Sequence, residues 1–235
     1  MSHYISHLTK HPKLLASAVI IGTPIAYLFY THRSLSKKVH HASRKGLLTA
    51  TTAQTIASIP SSVLSSDLPM YHDTSTKAVP KSLLPAMGQR ELLTTYLRHN
   101  MCLFSTGTLQ AWALYFMSTP KERGSFAPEY LQKLNFEKGD LVIGVHRVLI
   151  RTDGNVEFDL KPFGAIQGGR LSISVQESGD EYVFMNETVM WKNAGEKGIM
   201  PLESAFGKFL HESLSWWLLN VGTNFLVGLG GRKSL

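Results

Sequence analysis

The stretch Leu171–Lys192, LSISVQESGDEYVFMNETVMWK, decides the fold class. Apolar residues alternate with polar ones from Leu171 to Val175, as in a strand with one face turned to water. Ser178-Gly179-Asp180 is a turn signal, and a second long strand rich in Val, Phe, Tyr and Thr follows it. The stretch therefore predicts a hairpin of two long antiparallel strands.

The segment before this hairpin predicts another one. Leu141–Arg151 (LVIGVHRVLIR) is rich in β-branched residues, and Asp153-Gly154 is a strong signal for a tight hairpin turn. Apolar and charged residues then alternate from Val156 to Lys161. Two successive hairpins of long strands imply an antiparallel sheet.

Helical patterns flank the sheet on both sides. From Glu91 to Met117 apolar residues recur at intervals of three and four, which predicts a helix that Gly107 divides into two. After the sheet, an apolar stripe from Phe206 to Phe225 predicts a long C-terminal helix packed on it. Because Ser213–Gly231 contains no charged residue, a second membrane span is the alternative.

The N-terminal part predicts a membrane anchor. Leu14–Tyr30 contains no charge and would span about 25 Å as a helix. Five Lys or Arg residues follow within fifteen residues and two precede it, which places the C-terminal domain in the cytosol. Thr31-His32-Arg33 does not resemble a signal-peptide cleavage site. We expect a single-pass protein of the endoplasmic reticulum, with a mitochondrial membrane as the alternative.

The charge distribution separates this anchor from the rest of the chain. Residues 1–66 contain seven Lys or Arg and no Asp or Glu, whereas the remaining residues contain seventeen of each. The net charge of +7 thus belongs to the N-terminal part, and a neutral domain lacks the basic surface that nucleic-acid binding needs. We predict an anchor with basic flanks over residues 1–45, a Ser/Thr/Pro-rich linker over 46–88 and an α+β domain over 89–230.

The order of the predicted elements along the chain resembles the helix-grip fold. Helices come first, an antiparallel sheet of long hairpins follows, and one long apolar helix comes last. From about Gln89 to Leu229 the chain is similar to the START-like superfamily of polyketide cyclases/dehydrases and lipid-transport proteins. The glycine-bounded stretch Phe163–Gly169 resembles a helix-grip family of unknown function, with Gln167 and Arg170 here in place of a histidine and an acid. The general character of the sequence also resembles that of fungal proteins from secondary-metabolite pathways. This resemblance implies an antiparallel sheet around the last helix, with an apolar cavity for a hydrophobic small molecule.

Motifs for metals and cofactors are absent from the sequence. It contains no G-x-G-x-x-G after a strand, no Walker loop, no G-x-S-x-G elbow, no H-E-x-x-H and no Cys/His cluster. The single cysteine, Cys102, lies among apolar residues and fits a buried thiol. We therefore predict no cofactor and no metal.

Polar residues that interrupt the apolar strands form the candidate site. His146 and Glu187 are the predicted catalytic pair, because an imidazole and a buried carboxylate suit general acid–base chemistry. The alternatives are a structural strand histidine and a Glu187 that pairs with Arg147 or faces solvent. The predicted substrate-binding residues are Trp112, Tyr115, Phe116, Arg147, Asn186, Trp191 and Trp217.

Three functions fit these features, and the residues alone leave catalysis open. The favoured one is a membrane-anchored, cofactor-independent cyclase or isomerase, including a pericyclase, that folds a hydrophobic polyketide or terpenoid against aromatic walls. The second is a non-catalytic lipid or sterol carrier, or an accessory protein of a membrane complex. The third is a structural membrane protein with two spans. The expected partners are a hydrophobic small molecule and membrane lipid, and no nucleic acid.

Overall fold

Seven antiparallel strands form one sheet in the computed structural model, which describes residues 23, 26–49 and 55–232. The strands are β1 His40–Leu48, β2 Leu68–Pro80, β3 Leu141–Val142, β4 His146–Arg151, β5 Asn155–Leu160, β6 Gly168–Ser178 and β7 Glu181–Trp191. Their order across the sheet is β1-β2-β7-β6-β5-β4-β3. The two predicted hairpins are therefore confirmed as β4-β5 and β6-β7.

Helices precede and follow the five C-terminal strands. The α-helices are α1 Ser61–Leu64, α2 Gln89–Gly107, α3 Leu109–Met117, α4 Pro120–Arg123, α5 Pro128–Leu131 and α6 Ala205–Arg232, and residues 26–35 are also helical. Short 3₁₀ turns occur at Lys81–Leu83, Gly124–Phe126 and Pro201–Glu203. The predicted break at Gly107 is confirmed, and the Thr108 side chain caps α3 by accepting a hydrogen bond from the Ala111 N–H.

Helices α2 and α6 pack side by side on one face of the sheet, here called the inner face. Tyr96 and Leu97 of α2, Trp216 and Leu219 of α6, and Phe184 of β7 are buried in one apolar core. The long helix therefore covers the sheet, as its apolar stripe predicts. Among the described residues, no helix combines the length and apolarity that a membrane span requires.

The predicted anchor falls mainly outside the described part of the chain. Within Leu14–Tyr30, the structure describes residues 23 and 26–30, and these are helical. The helix continues to residue 35 and contacts α6, where the rings of Phe29 and Phe209 lie 4.9 Å apart. The anchor thus stays a prediction, and its C-terminal continuation packs against the domain.

The predicted linker over residues 46–88 differs most from the structure. This range contains β2, which pairs with β1 on one side and with β7 on the other. The sequence of β2, LPMYHDTSTKAVP, has polar residues on both faces and so lacks the apolar alternation of an ordinary strand. Asp73 and Ser75 are nevertheless buried, because side chains from other elements pair with them.

Residues 55–64 cover the opposite, outer face of the sheet. Ile56 and Ile59 pack against Trp191 and other apolar residues of this face. The Glu157 carboxylate accepts hydrogen bonds from the N–H groups of Ala57 and Ser58, at 3.0 and 2.7 Å. Both faces of the sheet are therefore buried, and polar groups on each of them need partners.

The predicted strand Leu141–Arg151 is divided into β3 and β4. Ile143 and Gly144 between them have φ angles of 52° and 67°, which ends the extended conformation. The Gly144 N–H donates a hydrogen bond to Ser125 Oγ at 2.7 Å, which holds this kink against the 3₁₀ turn. The kink brings His146 to the start of β4.

Candidate functional site

A cavity of about 260 Å³ lies between the inner face of the sheet and helices α2, α3 and α6. Its walls are mainly apolar, with residues from β6, β7 and α6 such as Leu171, Ile173, Met190, Leu214 and Leu218. Its polar lining residues are Gln110, His146, Asn186, Thr188, His211 and Ser215. An apolar cavity with a few polar groups is the usual form of a small-molecule site.

His146 is the polar residue of the cavity with the most strongly perturbed proton affinity. Burial lowers the pKa of its imidazole to about 4, and this effect outweighs the opposing influence of the Asp159 backbone and carboxylate. Part of the ring borders the cavity, but Nδ1 is inaccessible to solvent and has no hydrogen-bond partner in the protein. At neutral pH His146 is therefore an uncharged imidazole, and a ligand bonds to Nδ1 only if the ring turns this atom towards the cavity.

Asn186, which also lines this cavity, has a buried polar atom without a partner. Its Oδ1 is buried and has no hydrogen-bond partner in the protein. In the β6–β7 pairing it lies opposite Ile173, which also lines the cavity. A buried polar atom without a partner costs about 1–3 kcal/mol, so a ligand that bonds to it recovers this energy.

A cluster of histidines and carboxylates adjoins the cavity and shares His211 with it. The cluster consists of His41 on β1, Asp73 on β2, and His211 and Glu212 on α6. His41 Nε2 lies 2.7 Å from Asp73 Oδ1 and 3.4 Å from Glu212 Oε1. His211 Nε2 lies 3.3 Å from Asp73 Oδ2. We call these four residues the His–carboxylate cluster.

Both carboxylates of this cluster are buried, and Asp73 is ionised. Asp73 and Glu212 are 2% and 8% exposed. Burial raises the pKa of Asp73, but hydrogen bonds from His211 and His41 outweigh burial and hold it at about 2. Next to the cluster, burial lowers the pKa of His32 more than the neighbouring Glu212 raises it. Asp73 therefore stays negatively charged throughout the physiological pH range.

The structure separates the predicted catalytic pair. His146 lines the cavity, as the acid–base prediction requires, whereas Glu187 lies on the outer face. There the Glu187 carboxylate is 2.6 Å from His72 Nε2 and accepts hydrogen bonds from Thr55 Oγ1. The prediction that Glu187 and His146 face one cavity is therefore wrong, because residues 55–64 bury the outer face as well.

Of the predicted substrate-binding residues, the cavity contains Asn186 alone. Trp112 and Tyr115 line a separate groove with Arg123, and Phe116 on the same helix is 69% exposed. The remaining three lie elsewhere: Arg147 donates to the Gly139 carbonyl, Trp191 packs in the outer core, and Trp217 is partly buried against the inner core.

Sequence reasoning missed the His–carboxylate cluster. Its members come from three elements that are far apart along the chain, and no motif spacing joins them. The one available signal was the adjacent pair His211-Glu212, two polar residues within the apolar stripe of the last helix. A buried polar pair on such a stripe requires partners from the surface that it covers.

The fold and the cavity define an α+β domain in which a seven-stranded antiparallel sheet and a long C-terminal helix border a mainly apolar cavity. No family model matches the chain, and no curated protein matches it. Among solved structures, the crystal structure of CalU16 from Micromonospora echinospora has a TM-score of 0.37 and 10% sequence identity. The match covers 83% of this chain and 94% of that one. A likeness this distant carries no argument about function.

Proposed function

We propose that this protein binds a hydrophobic small molecule in the cavity between the sheet and α6. The observation that supports this is the combination of apolar walls with two buried polar atoms, His146 Nδ1 and Asn186 Oδ1, that lack protein partners. The volume of about 260 Å³ is close to the lower end of small-molecule sites, about 300 Å³. The preferred ligand is therefore compact, mostly apolar and equipped with one or two hydroxyl or enol groups.

We further propose that the protein rearranges this ligand, as a cyclase or isomerase of polyketide or terpenoid secondary metabolism. A neutral imidazole in a desolvated cavity can take a proton from one ligand atom and return it to another. The apolar walls would hold the ligand in a folded, reactive shape, which lowers the entropic part of the barrier. In this proposal His146 is the acid–base group and Asn186 orients the ligand, so no cofactor is required.

Carriage of a lipid or sterol without chemistry is the second candidate function. Among the described residues that line the cavity, none is an Asp or Glu. Because Glu187 lies on the outer face, the cavity lacks the carboxylate that an acid–base pair with His146 would use. A carrier needs the apolar walls and the orienting groups alone.

We also propose that Leu14–Tyr30 holds the domain at the cytosolic side of a membrane. The charge-free sequence and the basic residues after it support this proposal. Near its C-terminal end, Tyr27, Phe29 and Tyr30 are exposed aromatic residues, which are common at membrane interfaces. Such an anchor would place the cavity where a hydrophobic ligand partitions.

Mass spectrometry of the small molecules that co-purify with the full chain in detergent tests the binding proposal. We expect one polyketide or terpenoid in the wild type. The Leu171→Trp variant, whose larger side chain fills the cavity, should lose it. Gln176→Trp, at an exposed position of the same strand, should retain it. Equal ligand recovery from both folded variants would show that the ligand binds elsewhere.

His146→Gln then separates the two candidate functions. An enzyme should retain the ligand in this variant and lose its conversion, whereas a carrier should show no conversion in either protein. His40→Gln, a change of the same type at an exposed position of β1, is the matched control. Conversion that survives in His146→Gln would exclude His146 as the acid–base group.

A further inference from the structure

The His–carboxylate cluster brings the metal-binding atoms of three side chains together beside the cavity, with the fourth residue, His211, next to Asp73. One nitrogen or oxygen atom from each of His41, Asp73 and Glu212 lies within 4.8 Å of the others, and His211 Nε2 reaches the second oxygen of Asp73 at 3.3 Å. We propose that the cluster binds one divalent transition-metal ion such as Zn²⁺. This proposal does not depend on the identity of the cavity ligand.

A single four-coordinate ion would take one atom from each of His41, Asp73 and Glu212, and its fourth ligand from His211 after a shift of that ring. Zinc binds histidine nitrogen at about 2.0–2.1 Å and carboxylate oxygen at about 2.0–2.2 Å, so tetrahedral ligand atoms lie about 3.3–3.6 Å apart. His41 Nε2 and Glu212 Oε1 are 3.4 Å apart, and His211 Nε2 and Asp73 Oδ2 are 3.3 Å apart. The shorter contact of 2.7 Å between His41 and Asp73 is a hydrogen bond that two coordinate bonds would replace.

The charge balance of the cluster also favours a cation. Two buried carboxylates, Asp73 and Glu212, lie on either side of His41 in the cluster, and two like charges held close together in a buried site repel each other. Within the described part of the chain, Lys208 is the one Lys or Arg side chain within ion-pair distance of them, at 3.6 Å from Glu212, and it is 41% exposed. A divalent ion would neutralise both carboxylates at once.

The donor atoms indicate which ions fit. Two imidazole nitrogens with two carboxylates suit Zn²⁺ and neighbouring transition metals, whereas Mg²⁺ and Ca²⁺ prefer oxygen ligands throughout. The buried cluster also excludes bulk water from most ligand positions, since Asp73 is 2% exposed.

A second histidine–carboxylate contact, on the outer face, serves as an internal comparison. His72 Nε2 lies 2.6 Å from Glu187 Oε1, but there the third neighbour is the Thr55 hydroxyl, which donates to the carboxylate. The described residues around Glu187 contribute no second carboxylate and no second histidine within ion-pair distance. This contact therefore lacks the four donors of the proposed site, and it supplies a matched control.

A bound ion would join the edge of the sheet to the long helix. His41, Asp73 and the pair His211-Glu212 belong to β1, β2 and α6. Because His211 also lines the cavity, the ion would hold one wall of the cavity in place. Loss of the metal should therefore lower the stability of the whole domain.

Metal titration of the full chain in detergent tests the proposal. After treatment with a chelator, the wild type should bind one equivalent of Zn²⁺ by calorimetry, and Co²⁺ should give the visible absorption bands of a four-coordinate site. His41→Gln and Asp73→Asn should each weaken Zn²⁺ binding by about 100-fold or more, whereas His72→Gln should stay within about threefold of the wild type.

Two results would overturn this inference. One is a folded wild type without a stoichiometric Zn²⁺ site, which would leave the cluster as a hydrogen-bonded network. The other is unchanged Zn²⁺ affinity in folded Asp73→Asn. The comparison with Asp73→Asn is needed because His3, His7 and His11 in the N-terminal sequence also offer metal ligands. Zn²⁺ bound to these three histidines would remain in Asp73→Asn. Circular dichroism of each variant verifies its folding.

Discussion

Acidification should destabilise the domain through His146 before Asp73 titrates. Burial lowers the pKa of this imidazole from 6.5 to about 4, so between these values the unfolded chain binds a proton that the folded protein does not. The stabilising contribution of neutral His146 is complete above pH 6.5 and is lost as the pH falls towards 4. Asp73, with a pKa of about 2, contributes a separate loss in more acidic solution.

The size of the effect follows from the shift in the pKa of His146. A difference between 6.5 and about 4 corresponds to roughly 3 kcal/mol of unfolding free energy. The ring borders the cavity and is partly accessible, so solvent screening reduces this figure to about 2 kcal/mol. The wild type should therefore lose about 2 kcal/mol more stability between pH 7 and pH 4 than His146→Gln, which has no titrating group there.

This difference can be measured by unfolding the full chain with urea in detergent at a series of pH values. Tryptophan fluorescence reports the unfolded fraction. His40→Gln is the control, since His40 is exposed and its loss should leave the wild-type pH dependence unchanged. Parallel curves for the wild type and His146→Gln would refute the argument. They would mean that water or a ligand already satisfies the imidazole in the folded protein.

Two further predictions concern close packing in α6 and the outer face. In Gly222→Ala the new methyl group would meet Tyr96 Cε2 and the Asn100 side chain, at 2.5 and 2.6 Å, so thermal unfolding should show a loss of about 1–3 kcal/mol. Gly228→Ala on the same helix meets nothing within 4 Å and should gain up to about 1 kcal/mol. Glu187→Gln should cost about 1–3 kcal/mol in the same assay without changing ligand recovery, and loss of the ligand would contradict its position on the outer face.

The local order of the C-terminal elements could be predicted from the sequence. The turn signal at Asp153-Gly154 and the alternation after it correspond to the β4–β5 hairpin, and Gly107 ends α2. These features depend only on residues that are close together along the chain, so the sequence alone is enough to predict them. The strand β2 could not be predicted, because its polar residues become acceptable only when β1 and β7 provide their partners.

The division of residues between the two faces was beyond sequence reasoning for a different reason. Alternation places Asn186 and Glu187 on opposite faces of β7, but it does not say which face borders the cavity. Apolar residues share the face of β7 on which Glu187 lies, and they favoured that face as the wall of the cavity. The apolar residues Val189 and Trp191 instead pack against Ile56 and Ile59, a segment with no strong pattern of its own.

The two faces differ in how their polar groups are satisfied, and this difference argues for the location of the function. On the outer face, the carboxylates of Glu157 and Glu187 accept hydrogen bonds from residues 55–58, and the buried atoms without a partner there are the hydroxyls of Ser58 and Ser174. On the inner face, His146 Nδ1 and Asn186 Oδ1 are left without protein partners. Folding tolerates such unpaired groups at a cost, and that cost is recovered when a ligand supplies the missing partner. This difference supports the proposed placement of the ligand on the inner face.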